Sequence, residues 1–273
     1  MIVTRFAPSP TGELHLGHAF SALTAFAAAQ AAAGRFLLRI EDIDQGRCRP
    51  AFTPSILTDL AWLGLVWEQP VRRQSEHFDE YRSALDRLAA EGLLYPCFCS
   101  RKDIAAAGQA PHGPDGPLYP GTCRTLSESE RTERRQSGQP FALRLDCAAA
   151  IRRVGPLLWH DQDAGAVVAR PDLFGDVVLA RKECPTSYHL AVTLDDARQG
   201  VTLVTRGVDL FEATHIHRLL QALFDLPVPD YRHHPLLTGP DGRRLAKRDR
   251  AQTLRSLREQ GCSAAEVRAL VGL

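Results

Sequence analysis

The stretch from Ile2 to Ala33 constrains this chain more than any other. It opens I-V-T-R-F, a short apolar run that reads as a buried strand, and Pro8, Pro10 and Gly12 break it at once. From His18 to Ala33 alanine and leucine dominate, and their small helix-propensity cost predicts a helix. Gly34 is placed to end that helix in the left-handed conformation. A strand therefore feeds a tight turn, and the turn feeds a helix N-terminus. Such an end presents backbone N–H groups and a positive dipole, which suit a phosphate. His15, Gly17 and His18 stand there. The turn carries neither G-x-x-x-x-G-K-[ST] nor G-x-G-x-x-G, so it is not one of the common glycine-rich phosphate loops.

Arg35 to Ile40 (R-F-L-L-R-I) reads as a second buried strand and runs into Glu41-Asp42-Ile43-Asp44. Acidic residues at the carboxyl end of a parallel strand sit where such sheets bind ligands. Pro54–Leu63 and Glu76–Glu91 have the apolar spacing of amphipathic helices. Later, Tyr188–Val192 and Val201–Val204 are apolar, β-rich runs that predict buried parallel strands. Asp195-Asp196 follow the first, Arg206 follows the second, and a helix is expected from Glu212 to Phe224. A guanidinium at a strand's carboxyl end needs an anionic partner, and a carboxylate side chain fits it. Gly239 to Arg248 forms two turns leading into a basic loop, R-L-A-K-R, that contains Lys247.

Between these halves the sequence changes character. Tyr95-Pro96-Cys97-Phe98-Cys99 opens a region with a Gly/Pro-rich stretch from Gly108 to Gly121, closed by Tyr119-Pro120-Gly121-Thr122-Cys123. A loop of that length calls for a staple, and three flanking cysteines suggest Zn²⁺. The fourth ligand lies between His112 and Tyr119, and ligand chemistry alone favours the imidazole. Ser127–Gln136 reads as a charged helix with a Ser127/Glu130 capping box. Phe141–Leu145, Leu157–His160 and Val177–Lys182 read as strands of the same inserted region. Cys48, Cys147, Cys184 and Cys262 have no partner pattern and read as small core or surface residues.

At 273 residues the chain has room for one to two domains at about 150 residues each. A net charge of +1 means that any nucleic-acid contact rests on a local basic patch. Clusters at Arg72-Arg73, Arg131–Arg135, Arg152-Arg153 and Arg243–Arg250 read singly as solvated faces. Seven irregularly spaced cysteines argue against a disulfide framework. No apolar run is long enough to span a bilayer and no signal peptide opens the chain, so a cytoplasmic location is expected.

His15-Leu16-Gly17-His18 resembles the H-I-G-H signature of class I aminoacyl-tRNA synthetases, and R-F-A-P-S-P-T-G-E-L-H-L-G-H is the form seen in their glutamate and glutamine branch. R-I-E-D-I-D, the S-Y-H-L-A-V…D-D…Q-G-V-T…T-R-G-V-D series and the R-L-A-K-R loop also resemble that branch, the last standing for K-M-S-K-S. In that loop Lys247 keeps the second lysine, Arg244 replaces the first, and Ala246 replaces the serine, which removes a hydroxyl donor. C-x-C followed by Y-x-x-x-C is the zinc pattern of the glutamyl-queuosine tRNA(Asp) synthetases, shortened paralogues of glutamyl-tRNA synthetase, and of some glutamyl-tRNA synthetases. There the tyrosine is a ligand, which gives Cys97, Cys99, Tyr119 and Cys123.

The resemblance covers Arg5 to Arg248 and implies an α/β fold. A Rossmann-like parallel-sheet catalytic domain would occupy residues 1–95 and 186–250. A zinc-containing, RNA-contacting α+β subdomain would be inserted at 96–185. A short helical tail at 251–273, with a Ser263/Glu266 capping box, would stand where a full glutamyl-tRNA synthetase continues into an anticodon-binding region. The implied activity is ATP- and Mg²⁺-dependent formation of glutamyl-adenylate, followed by glutamyl transfer to queuosine in the anticodon of tRNA(Asp). The alternatives are a truncated enzyme charging a tRNA 3′ end and a catalytically silent RNA-binding paralogue. By the resemblance Arg5, Tyr188 and Arg206 hold the glutamate carboxylates, Glu41 holds its ammonium, and Phe6, Ala7, Pro8 and Ser9 complete the pocket. His15, Gly17, His18 and Lys247 take ATP. A monomer without membrane contact is expected.

Overall fold

The computed structural model describes residues 1–106, 112–114, 116–237 and 252–273. Strand β1 (Val3–Phe6) and strand β2 (Arg35–Ile40) pair in parallel, with helix α1 (Leu16–Ala31) as their crossover. The left-handed residue after α1 is Ala33, at φ 45°, and not Gly34. Gly34 is needed for a different reason: a Cβ there would lie 2.1 Å from the Ile2 carbonyl oxygen. The glycine lets the chain turn directly against β1, where Arg35 N–H donates to Ile2 O at 2.8 Å. Helix α2 (Phe52–Trp62) follows, and strand β3 (Arg72–Arg73) adds to β2 in parallel.

Helix α3 (Phe78–Ala90) then delivers strand β4 (Leu94–Cys97). Next come helix α4 (Arg101–Ala106), a small ladder of β5 (His112–Gly113) with β6 (Gly116–Pro117), and helix α5 (Glu128–Gln136). The Ser127/Glu130 capping box opens α5 as expected. Strand β7 (Ala142–Leu145), helix α6 (Cys147–Val154), the hairpin of β8 (Leu158–Asp161) with β9 (Gly165–Val168), and strand β10 (Val178–Arg181) complete this region. β7 lies between β4 and β10 in an antiparallel sheet.

The run at Tyr188–Val192 is the start of helix α7 (Tyr188–Arg198), not a strand. Ser187 caps it, its hydroxyl accepting from Leu190 N–H at 3.3 Å. A helix whose first turns are buried carries a continuous apolar run, which periodicity cannot separate from a buried strand. The second run is a strand, β11 (Leu203–Gly207), shifted two residues on. Helix α8 (Ala213–Leu223), strand β12 (Asp230–His234), helix α9 (Leu254–Glu259) and helix α10 (Ala264–Leu270) follow. The Ser263/Glu266 box opens α10.

β11 and β12 are parallel, and β11 runs beside β1, where Thr202 N–H donates to Val3 O at 3.0 Å. The two chain halves therefore meet between β1 and β11, the kind of junction at which open parallel sheets bind ligands. The strand expected at Leu157–His160 as part of the insertion is β8, and with β9 it joins this sheet instead: β8 bridges β12 in parallel at Asp161 and Tyr231. α1, α2, α9 and α10 share one apolar core with β2, so the last helices pack beneath the first turn of the fold. A second core joins α3, α6 and α8 to the inserted sheet. Among the described residues, no helix is long and apolar enough to cross a membrane.

Candidate active site

A cavity of about 390 Å³ opens at the carboxyl ends of these strands, lined among others by Ser9, Glu41, Asp44, Arg181, Ser187 and Tyr188. Phe6 and Pro8 are buried and Ala7 half-buried behind it, and Glu41 N–H donates to Pro8 O at 3.1 Å, tying the ends of β1 and β2 together. Glu41 is not a lone carboxylate. Arg39, fully buried, contacts it at 3.2 Å and also donates to Asp196 at 2.9 Å and Gln199 at 2.8 Å. Arg5 donates through Nε to the same Asp196 oxygen at 3.0 Å and through Nη1 to Thr205 O at 3.3 Å. Burial pushes the Glu41 carboxyl up, and Arg39 and Arg5 oppose that rise. At Asp196 burial acts the same way, but Arg5 and Arg39 outweigh it and hold the carboxyl below its usual range. Asp195, also buried in α7, takes Arg72, Gln74 and Tyr81. Arg72 is thus a half-buried partner rather than part of a solvated face.

Arg206 lies 5% exposed at the end of β11. Its Nε donates to His233 Nε2 at 3.1 Å, and its Nη1 to His217 Nδ1 at 3.1 Å and the Tyr188 hydroxyl at 3.4 Å. Its Nη2 donates to the Thr214 hydroxyl at 2.5 Å. All four partners are uncharged acceptors, and among the described residues Arg206 makes no salt bridge. Burial, with Arg206 as the next cause, depresses both imidazoles, His217 well below its usual value and His233 to about 4, so both are neutral at physiological pH.

His15 and His18 sit at the start of α1 and cap it. The His15 ring accepts from Gly17 N–H at 3.1 Å, and the His18 ring accepts from His15 N–H at 3.2 Å. Their centroids lie 3.8 Å apart. The first turn therefore does not present all its N–H groups to a ligand, as the sequence alone suggested; two of them are taken by the imidazoles. A Cβ on Gly17 would meet His15 Cε1 at 3.0 Å, so the glycine makes room for that ring. His234, at the end of β12, packs its ring on Phe20 and contacts Ser21 at 3.1 Å. Thr253 bridges His15, and Leu254 N–H donates to Leu14 O at 2.8 Å. The described residues on both sides of 238–251 thus flank the N-terminal part of α1. Lys247, with Arg244 and Ala246, lies outside the described residues.

In the insertion the Cys97, Cys99 and Cys123 sulfurs all lie within 4.8 Å of one another. Cys99 and Cys123 sulfurs are 3.5 Å apart, and the Tyr119 hydroxyl is 3.7 Å from Cys99 Sγ. Zinc at about 2.3 Å from each of two tetrahedral thiolates separates the sulfurs by about 3.8 Å, so this donor set fits one ion. Burial raises the Cys99 thiol to about 11. Cys123 is held below its usual value: burial opposes this, but the Tyr119 hydroxyl and Phe98 N–H outweigh it. The His112 side chain lies outside the described part of the structure. Among the described residues every cysteine is free, with Cys48 and Cys147 buried.

Arg39, Asp161, Thr214, His217 and His233 were not singled out from the sequence as site residues. Arg39 had a visible signal, a charge inside a strand expected to be buried on both faces. The others are joined only by tertiary contact.

The family model of class I tRNA synthetases for glutamate and glutamine, catalytic domain, matches residues 1–271. The glutamyl-Q tRNA(Asp) synthetase of Rhodobacter capsulatus is 51% identical over 286 residues, covering 100% of both chains. The protein of the same name from Symbiobacterium thermophilum is 45% identical, over 96% of this chain and 83% of the relative. A crystal structure of a glutamate tRNA ligase from Elizabethkingia meningosepticum, in complex with its amino acid, superposes with TM-score 0.83 at 25% identity, over 100% of this chain. This chain spans 60% of the length of that structure.

Proposed function

The chain belongs to the catalytic-domain family of class I tRNA synthetases for glutamate and glutamine, and we propose that it activates L-glutamate with ATP and transfers it to the queuosine base in the anticodon of tRNA(Asp). The observation that carries the amino-acid assignment is Arg206, a buried guanidinium whose partners among the described residues are all neutral. A buried cation without a counter-charge is strongly disfavoured unless a ligand supplies one. The Tyr188 hydroxyl accepts from Arg206, so its own proton is left to donate. A cation and a hydroxyl donor in contact with each other, the hydroxyl lining the cavity, favour a carboxylate over a carboxamide.

In the first step an oxygen of the glutamate α-carboxylate attacks the α-phosphorus of ATP, and pyrophosphate leaves. In the second a cyclopentene hydroxyl of queuosine attacks the acyl carbon, AMP leaves, and the hydroxyl proton departs to the phosphate or to water. No enzyme nucleophile is needed, and the protein contributes positioning and charge. Arg5, Tyr188 and Arg206 would hold the substrate carboxylates and Glu41 its ammonium, with Phe6, Ala7, Pro8 and Ser9 as the wall. His15, Gly17, His18 and Lys247 would hold ATP with its Mg²⁺. Zn²⁺ on Cys97, Cys99, Tyr119 and Cys123 would close the inserted loop and carry no chemical step. The enzyme would act as a cytoplasmic monomer.

Acceptor assays with queuosine-containing tRNA(Asp), the same tRNA lacking the modification, and tRNA(Glu) test this. Glutamate should enter only the first. Labelling of a tRNA 3′ end would replace the proposal with an ordinary charging enzyme, and absence of glutamate-dependent pyrophosphate exchange would remove catalysis altogether.

A further inference from the structure

Arg206 is connected to a carboxylate, but at one remove. His233 stands between Arg206 and Asp161, accepting from Arg206 Nε at its Nε2 and meeting Asp161 Oδ2 at 2.7 Å with its Nδ1. The His233 and Asp161 side chains are each 2% exposed. Arginine only donates, so His233 Nε2 must be the acceptor and Nδ1 must carry the proton, donated to Asp161. The other oxygen of Asp161 is already committed: its Oδ1 accepts Asp163 N–H and Ala164 N–H, each at 3.0 Å, in the β8–β9 turn. Asp161 is thus fixed from behind and fixes His233 in front. The Thr214 hydroxyl, which accepts from Arg206, lies 3.4 Å from the same His233 nitrogen and can donate to it.

We propose that Asp161 and His233 are positioning residues for glutamate recognition, acting through Arg206: Asp161 locks the His233 tautomer, and the neutral ring orients the guanidinium while keeping the carboxylate from neutralising it. The inference rests on Arg206 binding the substrate carboxylate. A carboxylate in direct contact would compete with the substrate for the guanidinium's charge and its N–H groups. One imidazole away, it offsets part of the burial cost and leaves the charge available. The arrangement also gives the β8–β9 hairpin a task at the amino-acid pocket, because the hairpin turn holds Asp161.

The test exploits polarity at constant shape. In Asp161→Asn the turn N–H groups keep the amide oxygen, so the amide nitrogen faces His233. The ring must then accept at Nδ1 and carry its proton at Nε2, against the Arg206 Nε–H. In pyrophosphate exchange this variant should raise KM for glutamate by about tenfold or more, the scale of one charged hydrogen bond, and leave KM for ATP within about twofold. His233→Gln can donate to Asp161 and accept from Arg206, and it should stay within about threefold of wild type, whereas His233→Leu should follow Asp161→Asn. Nitrogen NMR of the ring should find the His233 proton on Nδ1 in the wild type and on Nε2 in Asp161→Asn. Wild-type glutamate KM in Asp161→Asn, or equal loss for glutamate and ATP, overturns the proposal. Arg206→Met separates the two levels. If it leaves glutamate KM unchanged, the assignment of Arg206 itself fails; if it raises KM while Asp161→Asn does not, only the positioning role falls.

Discussion

Replacing Glu41 by glutamine tests the amino-acid pocket with little disturbance of the fold. The residue is 9% exposed, and among the described residues its side chain pairs with Arg39, at 3.2 Å. Arg39 would not be orphaned by the change, since it keeps Asp196 at 2.9 Å and Gln199 at 2.8 Å. Burial already disfavours the Glu41 carboxylate, so a neutral isostere removes a desolvation cost as well as an ion pair, and the two changes oppose each other. Thermal stability without ligand should therefore move little. What the amide cannot replace is the attraction for an ammonium group. A hydrogen bond between charged groups contributes about 1.5–3 kcal/mol, which is roughly a 10- to 150-fold rise in KM for glutamate. The assay is glutamate-dependent pyrophosphate exchange with each substrate titrated, supported by the glutamate-induced rise in melting temperature. A parallel rise in the KM values for glutamate and ATP, or a glutamate effect under about threefold, would refute the reasoning.

Three further outcomes are expected. Lys247→Ala should slow adenylate formation by about 10²–10³-fold, the scale of one lost transition-state donor, and wild-type rates in a rapid-quench measurement would remove the residue from the mechanism. Protein expressed with zinc should carry one ion per chain by elemental analysis. A chelator should release it and expose Cys97, Cys99 and Cys123 to thiol reagents, with RNA transfer failing before pyrophosphate exchange; unchanged thiol reactivity would exclude the site. Finally, burial keeps His215, His217, His233 and His234 neutral, so their folded-state pKa values lie below the unfolded value of about 6.5. The unfolded chain binds those protons first, so stability should be full above about pH 6.5 and fall as pH drops toward 4, where His233 titrates. A melting temperature flat across that window would contradict this.

The strand–turn–helix at the N-terminus was legible because three local signals agree: an apolar run, proline punctuation and an alanine-rich helix. The capping boxes at Ser127 and Ser263 were legible for the same reason, being local chemistry. α7 is not legible from its apolar run, because a buried helix start and a buried strand share one composition; the local signal for the helix is Ser187 as its cap. The strand at Leu157–His160 is legible as a strand, but its place beside β12 is not, because strand pairing is decided by long-range contact, here one bridge between Asp161 and Tyr231. At the site, motif residues such as Glu41, Tyr188 and Arg206 could be named in advance. The rings that orient Arg206 could not: His217 comes from α8 and His233 from β12, and nothing in H-I-H or H-H says that both turn toward the same guanidinium.

The buried cluster around Arg39 has a bearing on how this sequence can vary. Arg39 and Glu41 come from the first half of the chain and Asp195, Asp196 and Gln199 from the second, and Arg39 is the member on which the other four converge. Neutralising Glu41 leaves Arg39 its other partners, but removing Arg39 alone leaves three carboxylates in the interior short of one cation, whereas exchanging the set for apolar residues of matching volume need not destabilise the fold. Descent through single substitutions is therefore blocked at Arg39 while joint replacement is not. A library that randomises the set together should recover folded variants that one randomising its members singly misses.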